Sequence, residues 1–339
     1  MRELSSPYLI FFGDEERATY AKTGLGVAQW RRELCVGQLR LTPNTADAGL
    51  PDYTIEQAHQ QGARTVLLGV ALVGGSLPTH WVPQLVQALE LGMDVVAGFH
   101  SRLTSFPELV EAAKRGGAQL IDVRVPPEGI PVGTGKKRSG RRLLTVGTDC
   151  ALGKKYTALA LAEAMAEDGF DADFRATGQT GIMIAGSGIP MDAVVSDFLV
   201  GAAEMLSPEA DPDHWDVIEG QGALFHPGYA PVSFGLLIGS QPDAFVVCME
   251  AGRDTIRDWD HFPTPDIQEL IDRTVDLGRQ YNDQIRCVGI SANTMKLDDS
   301  ERRAYLDDLA TRYGLPAVDP LQDDGVQPIV QYLRSQQWP

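Results

Sequence analysis

The stretch from Leu143 to Thr157, LLTVGTDCALGKKYT, contains the residue types needed to hold a phosphate. An apolar run stops at Gly147, a short loop follows, and Gly153-Lys154 opens a segment that reads as helix. Backbone N–H groups in such a loop, with the positive end of the next helix dipole, make an anion site. Lys154 would add a point charge to it. Thr148 stands where the spacing GxxxxGK[ST] has its first glycine, with Gly147 one step earlier. The position after the lysine normally supplies a hydroxyl to Mg²⁺, but here it is Lys155, whose ammonium has no lone pair for a cation. Thr157 lies farther round the helix and points elsewhere. Phosphate binding is therefore expected, whereas metal-assisted ATP hydrolysis is disfavoured. The expected coenzyme contacts are Gly147, Thr148, Asp149, Cys150, Gly153, Lys154, Lys155 and Tyr156, with no metal. Cys150 sits near a helix N-terminus, which lowers a thiol pKa, so an acyl-carrying role stands beside that of a small loop residue.

Two further segments should converge on this loop, because ligands of open α/β sheets bind at the carboxyl ends of the strands. RATGQTGIMIAGSG, from Arg175 to Gly188, offers Thr177, Gln179 and Thr180 as donors in a glycine-rich run. DVIEGQGALFHPGY, from Asp216 to Tyr229, sets Glu219 at a strand end, with Gln221 and His226 following. Glu219 reads as a metal ligand, a general base or a hydrogen-bond acceptor that fixes the loop; His226 reads as a proton acceptor or a satisfied surface histidine. Arg175 and Arg253 are candidates to hold substrate carboxylates, the alternative for Arg253 being a salt bridge to Asp254 or Glu250.

Alternating short apolar strands and helical segments must position these groups. Residues 8–13, 35–41, 65–72, 94–99 and 120–125 read as buried strands, separated by helix-like stretches such as WVPQLVQALELG and FPELVEAAKRGG. That order implies a parallel sheet with crossover helices. A Pro-, Gly- and Lys/Arg-rich run then reads as a boundary, either a solvated linker or a cation source beside the loop. The second half restarts with a strand at 143–146, a helix from about Gly153 to Glu167, and further strands in ADFRATG, WDVIEG, AFVVCME, RCVGISAN and LPAVDP. The expected fold class is α/β in two domains: a Rossmann-like unit over 1–130, a linker over 131–142, and a P-loop NTPase-like parallel-sheet unit over 143–339.

The chain has 339 residues, 43% of them hydrophobic, and a formal net charge of −17, so its overall field repels nucleic acid and anionic membrane. Its four cysteines form no CxxC or Cys/His ligand pattern. A cytoplasmic protein is expected, acting on a small molecule, with no nucleic-acid or membrane partner; a homo-oligomer is expected on base rates alone.

VGTDCALGK, ATGQTGIMIAG, VIEGQGALFHP and LLIGSQPDAFVVCMEAGR, in that order after a Rossmann-like half, resemble a two-domain family long without an assigned function, the D-glutamate N-acetyltransferase-like family. GTDCALGK with VIEG and SANT is more distantly similar to the P-loop fold of dethiobiotin synthetase, with Lys155 where that family has threonine. The first resemblance implies acetyl transfer from acetyl-CoA to the amino group of an acidic amino acid, D-glutamate foremost. In that scheme Glu219 or His226 would be the base and N–H groups of the TGQTG or GQG turns the oxyanion donors. The alternatives are an ATP/Mg-dependent ligase or kinase of the dethiobiotin synthetase type, or a nucleotide- or CoA-binding regulator without turnover.

Overall fold

A computed structural model describes residues 3–71, 75–322 and 324–338. The chain divides into two compact units, Met1–Pro127 with Gly178–Ala193, and Glu128–Thr177 with Val194–Pro339.

The first unit contains β1 (Tyr8–Gly13), α1 (Ala18–Trp30), β2 (Cys35–Arg40), α2 (Ile55–Gln60), β3 (Thr65–Leu68), α3 (Val82–Glu90), β4 (Asp94–Ala97), α4 (Pro107–Gly116) and β5 (Leu120–Asp122). The strands form one parallel sheet in the order β2-β1-β3-β4-β5. Every residue of β1, β3 and β4 is buried, which is why these strands read as unbroken apolar runs: helices cover both faces of a parallel sheet. The strand expected over 65–72 ends at Leu68, and Leu72 lies outside the described residues. The turn after β1 is acidic rather than glycine-rich: Asp14 accepts from Trp81 Nε1 (2.8 Å) and bonds His80 Nε2 (3.0 Å), while Glu15 pairs with Arg17. A pyrophosphate would meet three carboxylates there, Asp14, Glu15 and Glu16.

The second unit begins with β6 (Arg141–Gly147), α5 (Lys154–Glu167) and β7 (Ala172–Arg175). After Thr177 the chain enters the first unit as α6 (Gln179–Ala185), which packs on α1 through a buried hydroxyl pair, Thr23 Oγ1 to Thr180 Oγ1 at 2.9 Å. An Arg124–Asp192 ion pair closes this excursion. The second unit resumes with α7 (Leu199–Leu206), β8 (Trp215–Ile218), α8 (Ala230–Ser240), β9 (Ala244–Glu250), a hairpin of β10 (Thr255–Ile256) and β11 (Trp259–Pro263), α9 (Ile267–Gly278), β12 (Arg286–Asn293), α10 (Asp299–Tyr313), β13 (Ala317–Val318) and α11 (Gln327–Ser335). Its parallel sheet runs β13-β12-β9-β6-β8-β7. Strands added after β6 lie first on one side and then on the other, so the loop after β6 occupies the topological switch point, the usual place for a ligand in such sheets.

The basic run before β6 braces the strand. Arg142 is completely buried and donates to Ser207 Oγ (2.7 Å) and to the carbonyls of Arg138, Ser139, Gly140 and Pro208. Arg138 donates to the carbonyls of Ser207 and Gly239. Among the described residues no helix is long and apolar enough to cross a membrane.

Candidate active site

β6 delivers the loop Thr148–Gly153, and α5 starts at Lys154 as the spacing predicts. Gly153 caps the helix at φ 111°, a left-handed conformation that glycine adopts without strain, and Ala151 is also left-handed at φ 53°. These reversals curl the loop, and by helix geometry the first-turn N–H groups of α5 point toward it. Lys154 is buried; its Nζ donates to the Asp149 carbonyl, 2.7 Å away, across the mouth of the loop. Burial lowers its pKa, against the opposing influence of Cys150, Cys248 and Asp149. Gly220 must be glycine because a β-carbon there would stand 1.7 Å from the Thr145 carbonyl, and Lys154 Cδ lies just beyond.

Lys155 lays its Nζ 4.2 Å over the ring of Tyr156. Thr157 turns its hydroxyl inward, onto Ser291 Oγ at 2.8 Å, as expected for a residue outside the metal position. Thus neither residue offers a hydroxyl to a cation at the loop.

Asp149 is the fixed point of the site. Fully buried, its carboxylate accepts from the Cys150 N–H (2.6 Å), Arg253 Nη1 (2.9 Å) and the Arg257 N–H (2.9 Å). Arg253 also donates to the Cys150 carbonyl (2.8 Å) and pairs with Glu250. Its guanidinium thereby joins the loop to the end of β9, the Glu250 pairing being the salt bridge that the sequence offers as its alternative, while the Arg257 N–H joins the loop to the β10–β11 hairpin. The hairpin adds two strands to those that the sequence predicts.

His226 lies in the loop between β8 and α8, buried against Asp149, with Nε2 3.7 Å from Asp149 Oδ1. Its Nδ1 accepts two backbone N–H groups, from Gly228 (3.0 Å) and Tyr229 (3.1 Å). The rings of Tyr229 (4.6 Å) and Trp259 (4.9 Å) pack against it. Burial lowers its pKa, and the Asp149 charge only partly opposes that.

Glu219 follows β8, beside the loop. Its Oε2 accepts from the Thr177 N–H (2.8 Å), its carbonyl accepts from Thr177 Oγ1 (2.7 Å), and Gln221 Nε2 donates to Thr177 Oγ1 (3.1 Å). Thr177 and Gln221 are thus brought together with Glu219 as expected. Gln179 and Thr180 are not part of this cluster but of the first unit, where Gln179 packs over Gly98 and Thr180 over α1. Arg175 is turned toward the amino ends of the strands, with Nε on Asp216 Oδ1 (2.5 Å) and Nη2 on Asp173 (3.4 Å). The fold does not bring it to the loop.

Asp149, Cys150 and His226 could offer ligand atoms within 4.8 Å of one another, but their chemistry does not suit a cation. A metal requires deprotonated donors. Here Asp149 already faces a guanidinium, His226 has its acceptor lone pair turned to the backbone, and burial pushes the Cys150 thiol pKa upward. That last shift is opposite in direction to the expectation from the helix end: loss of solvation raises the thiol pKa, and the nearby cations Lys154 and Arg253 only partly oppose it.

Comparison with known proteins agrees with this architecture. A family model described as the DUF1611 C-terminal P-loop domain matches residues 131–330, and one described as the DUF1611 N-terminal Rossmann-like domain matches residues 38–126. A D-glutamate N-acetyltransferase of Pseudoalteromonas sp. is 45% identical over 331 residues, covering 98% of this chain and 99% of the relative. Another, of Tritonibacter scottomollicae, is 45% identical over 317 residues, covering 94% and 95%. A crystal structure of a DUF1611 family protein from Anabaena variabilis matches with a TM-score of 0.83 at 29% identity, covering 98% of this chain and 100% of that one. With both halves matched and full-length relatives at this identity, the chain belongs to the DUF1611 family and is an N-acetyltransferase.

Proposed function

We propose that the enzyme transfers the acetyl group of acetyl-CoA to the α-amino group of an acidic amino acid, D-glutamate foremost. The observation that carries this reading is a phosphate loop with its lysine in place but without a metal-holding hydroxyl: Lys155 fills that position and Thr157 is committed to Ser291. Such a loop suits a coenzyme whose phosphates are gripped but not transferred. The names of the two relatives at 45% identity support the same acceptor. Gly147, Thr148, Asp149, Cys150, Gly153, Lys154, Lys155 and Tyr156 would form the cradle, and the coenzyme would supply an acyl group activated as a thioester.

Glu219 is the proposed base. It takes a proton from the substrate ammonium, freeing the lone pair that forms the N–C bond as the C–S bond breaks; the second proton that the nitrogen then sheds goes to the departing thiolate. Thr177, held to Glu219, and Gln221, held to Thr177, position this carboxylate. Transfer is direct, because the raised thiol pKa of Cys150 makes it a poor nucleophile at neutral pH.

Incubating the protein with acetyl-CoA and a panel of D- and L-amino acids, and measuring free thiol, tests the proposal. Release with D-glutamate well above release with L-glutamate and neutral amino acids is expected. Mg²⁺-dependent ADP release from ATP, with no thiol, would replace it with a ligase or kinase.

A further inference from the structure

We propose that Arg257, at the tip of the β10–β11 hairpin, grips the coenzyme's diphosphate and brings to it the positive charge that a divalent cation brings in a nucleotide-hydrolysing loop. The role rests on the coenzyme reading above. What carries it is the way the hairpin is fastened. The Arg257 N–H donates to Asp149 Oδ2 at 2.9 Å, so the main chain of this residue is seated on the phosphate loop itself. On one side of it Ile256 is completely buried; on the other, Trp259 sets its ring against His226, 4.9 Å between centroids. At the base of the hairpin Thr264 donates through its N–H to the Asp254 carbonyl (2.9 Å) and through Oγ1 to the Arg253 carbonyl (3.0 Å). Between these anchors Asp258 is held at φ 67°, a left-handed conformation that a residue with a side chain adopts at a cost.

The Arg257 side chain is what this fastening leaves over. It is exposed, and among the described residues its guanidinium pairs with no carboxylate, the exposed hairpin acids Asp254, Asp258 and Asp260 included. The other cations at this end of the sheet are engaged: Arg253 with Asp149 and Glu250, and Lys296 with Glu250 at 2.7 Å. A further positive charge has a use at the loop. Each phosphate of a diphosphate is ionised, Lys154 is a single charge, and no hydroxyl is offered to a metal, because Lys155 fills that position and Thr157 is bonded to Ser291. A guanidinium meets phosphate oxygens with paired, planar donors, and its long stem, starting beside Asp149, can carry it over the loop without moving the backbone. Sheet order favours the diphosphate over the acceptor's carboxylates. The hairpin follows β9, whereas the proposed base Glu219 follows β8, and these strands flank β6 on opposite sides.

Isothermal titration tests the role, with acetyl-CoA and acetyl-dephospho-CoA, which keeps the diphosphate but lacks the 3′-phosphate, added in EDTA to wild type, Arg257→Gln and Arg257→Lys. The Gln variant should bind both thioesters about 10-fold more weakly than wild type, the Lys variant should fall between, and the KM for the amino acid should not change. Because the guanidinium has no pairing to lose, both variants should keep the wild-type Tm. A loss seen with acetyl-CoA but not with acetyl-dephospho-CoA would overturn the proposal by moving Arg257 to the 3′-phosphate. A higher KM for the amino acid at unchanged acetyl-CoA affinity would overturn it in favour of a substrate carboxylate. Equal affinities in all three proteins, or a loss that comes with a lower Tm in both variants, would leave Arg257 no part in coenzyme binding beyond the fold of the hairpin. Wild type that binds neither thioester would instead remove the coenzyme reading itself, and this role with it.

Discussion

Asp149 and Arg253 form a buried ion pair, Oδ2 to Nη1 at 2.9 Å, that ties the phosphate loop to the end of β9. The pair joins residues 104 positions apart, and the Arg253 side chain is only 9% exposed. It fixes the loop to the end of β9 across the sheet.

Removing one partner of such a pair strands a buried charge. Arg253→Met should therefore destabilise the protein by about 3–5 kcal/mol and lower Tm by several degrees, as differential scanning fluorimetry can record. An unchanged Tm with a higher KM for the amino acid would instead make Arg253 a substrate-carboxylate ligand.

Glu219→Gln retains the shape of the side chain while removing its basicity. A drop in kcat of roughly 10²-fold or more, with little change in the KM for acetyl-CoA, is expected if it moves the proton. Steady-state kinetics showing normal turnover would take Glu219 out of that role.

Cys150→Ala should leave turnover within a few-fold of wild type, and mass spectrometry of the wild type quenched with acetyl-CoA should find no added acetyl group. A trapped acetyl-Cys150 would establish a two-step transfer with ping-pong kinetics.

The neutral, buried state of His226 should also appear in the pH dependence of stability. Its folded pKa is depressed, so the unfolded chain takes up a proton that the folded chain refuses. The stabilising contribution is complete above the unfolded pKa, about 6.5, and is lost as pH falls through that value toward the folded pKa. Urea midpoints from about pH 8 to 5 should fall less steeply for His226→Asn than for wild type. Parallel curves would contradict this assignment.

Legibility in the sequence followed the range of the interactions. β1 was plain because all its residues are buried, and the loop was plain because its glycine, lysine and helix start are set by neighbours in sequence. Thr177 and Gln221 could be grouped with Glu219 because two adjacent strand ends carry them. The destination of α6 is not legible: its residues read as a polar, glycine-rich run beside the loop, but the Thr23–Thr180 contact that places it in the first unit spans 157 positions. The Arg253–Glu250 pair is local and is the alternative that the sequence offers, but the bonds of Arg253 to Asp149 and of Arg175 to Asp216 join residues 104 and 41 positions apart and are not legible there. The β10–β11 hairpin escaped notice because its strands have only two and five residues and no strict alternation of apolar side chains.

The loop after β6 is proposed to hold coenzyme phosphates through backbone N–H groups and Lys154 without a divalent cation. Isothermal titration of acetyl-CoA into wild type and Lys154→Ala, each with EDTA and with Mg²⁺, measures it most directly. The expected result is one wild-type Kd in both buffers and about 10–100-fold weaker binding in the variant, the worth of a charge-assisted hydrogen bond. Binding that requires Mg²⁺, or a variant that binds as tightly as wild type, would contradict it.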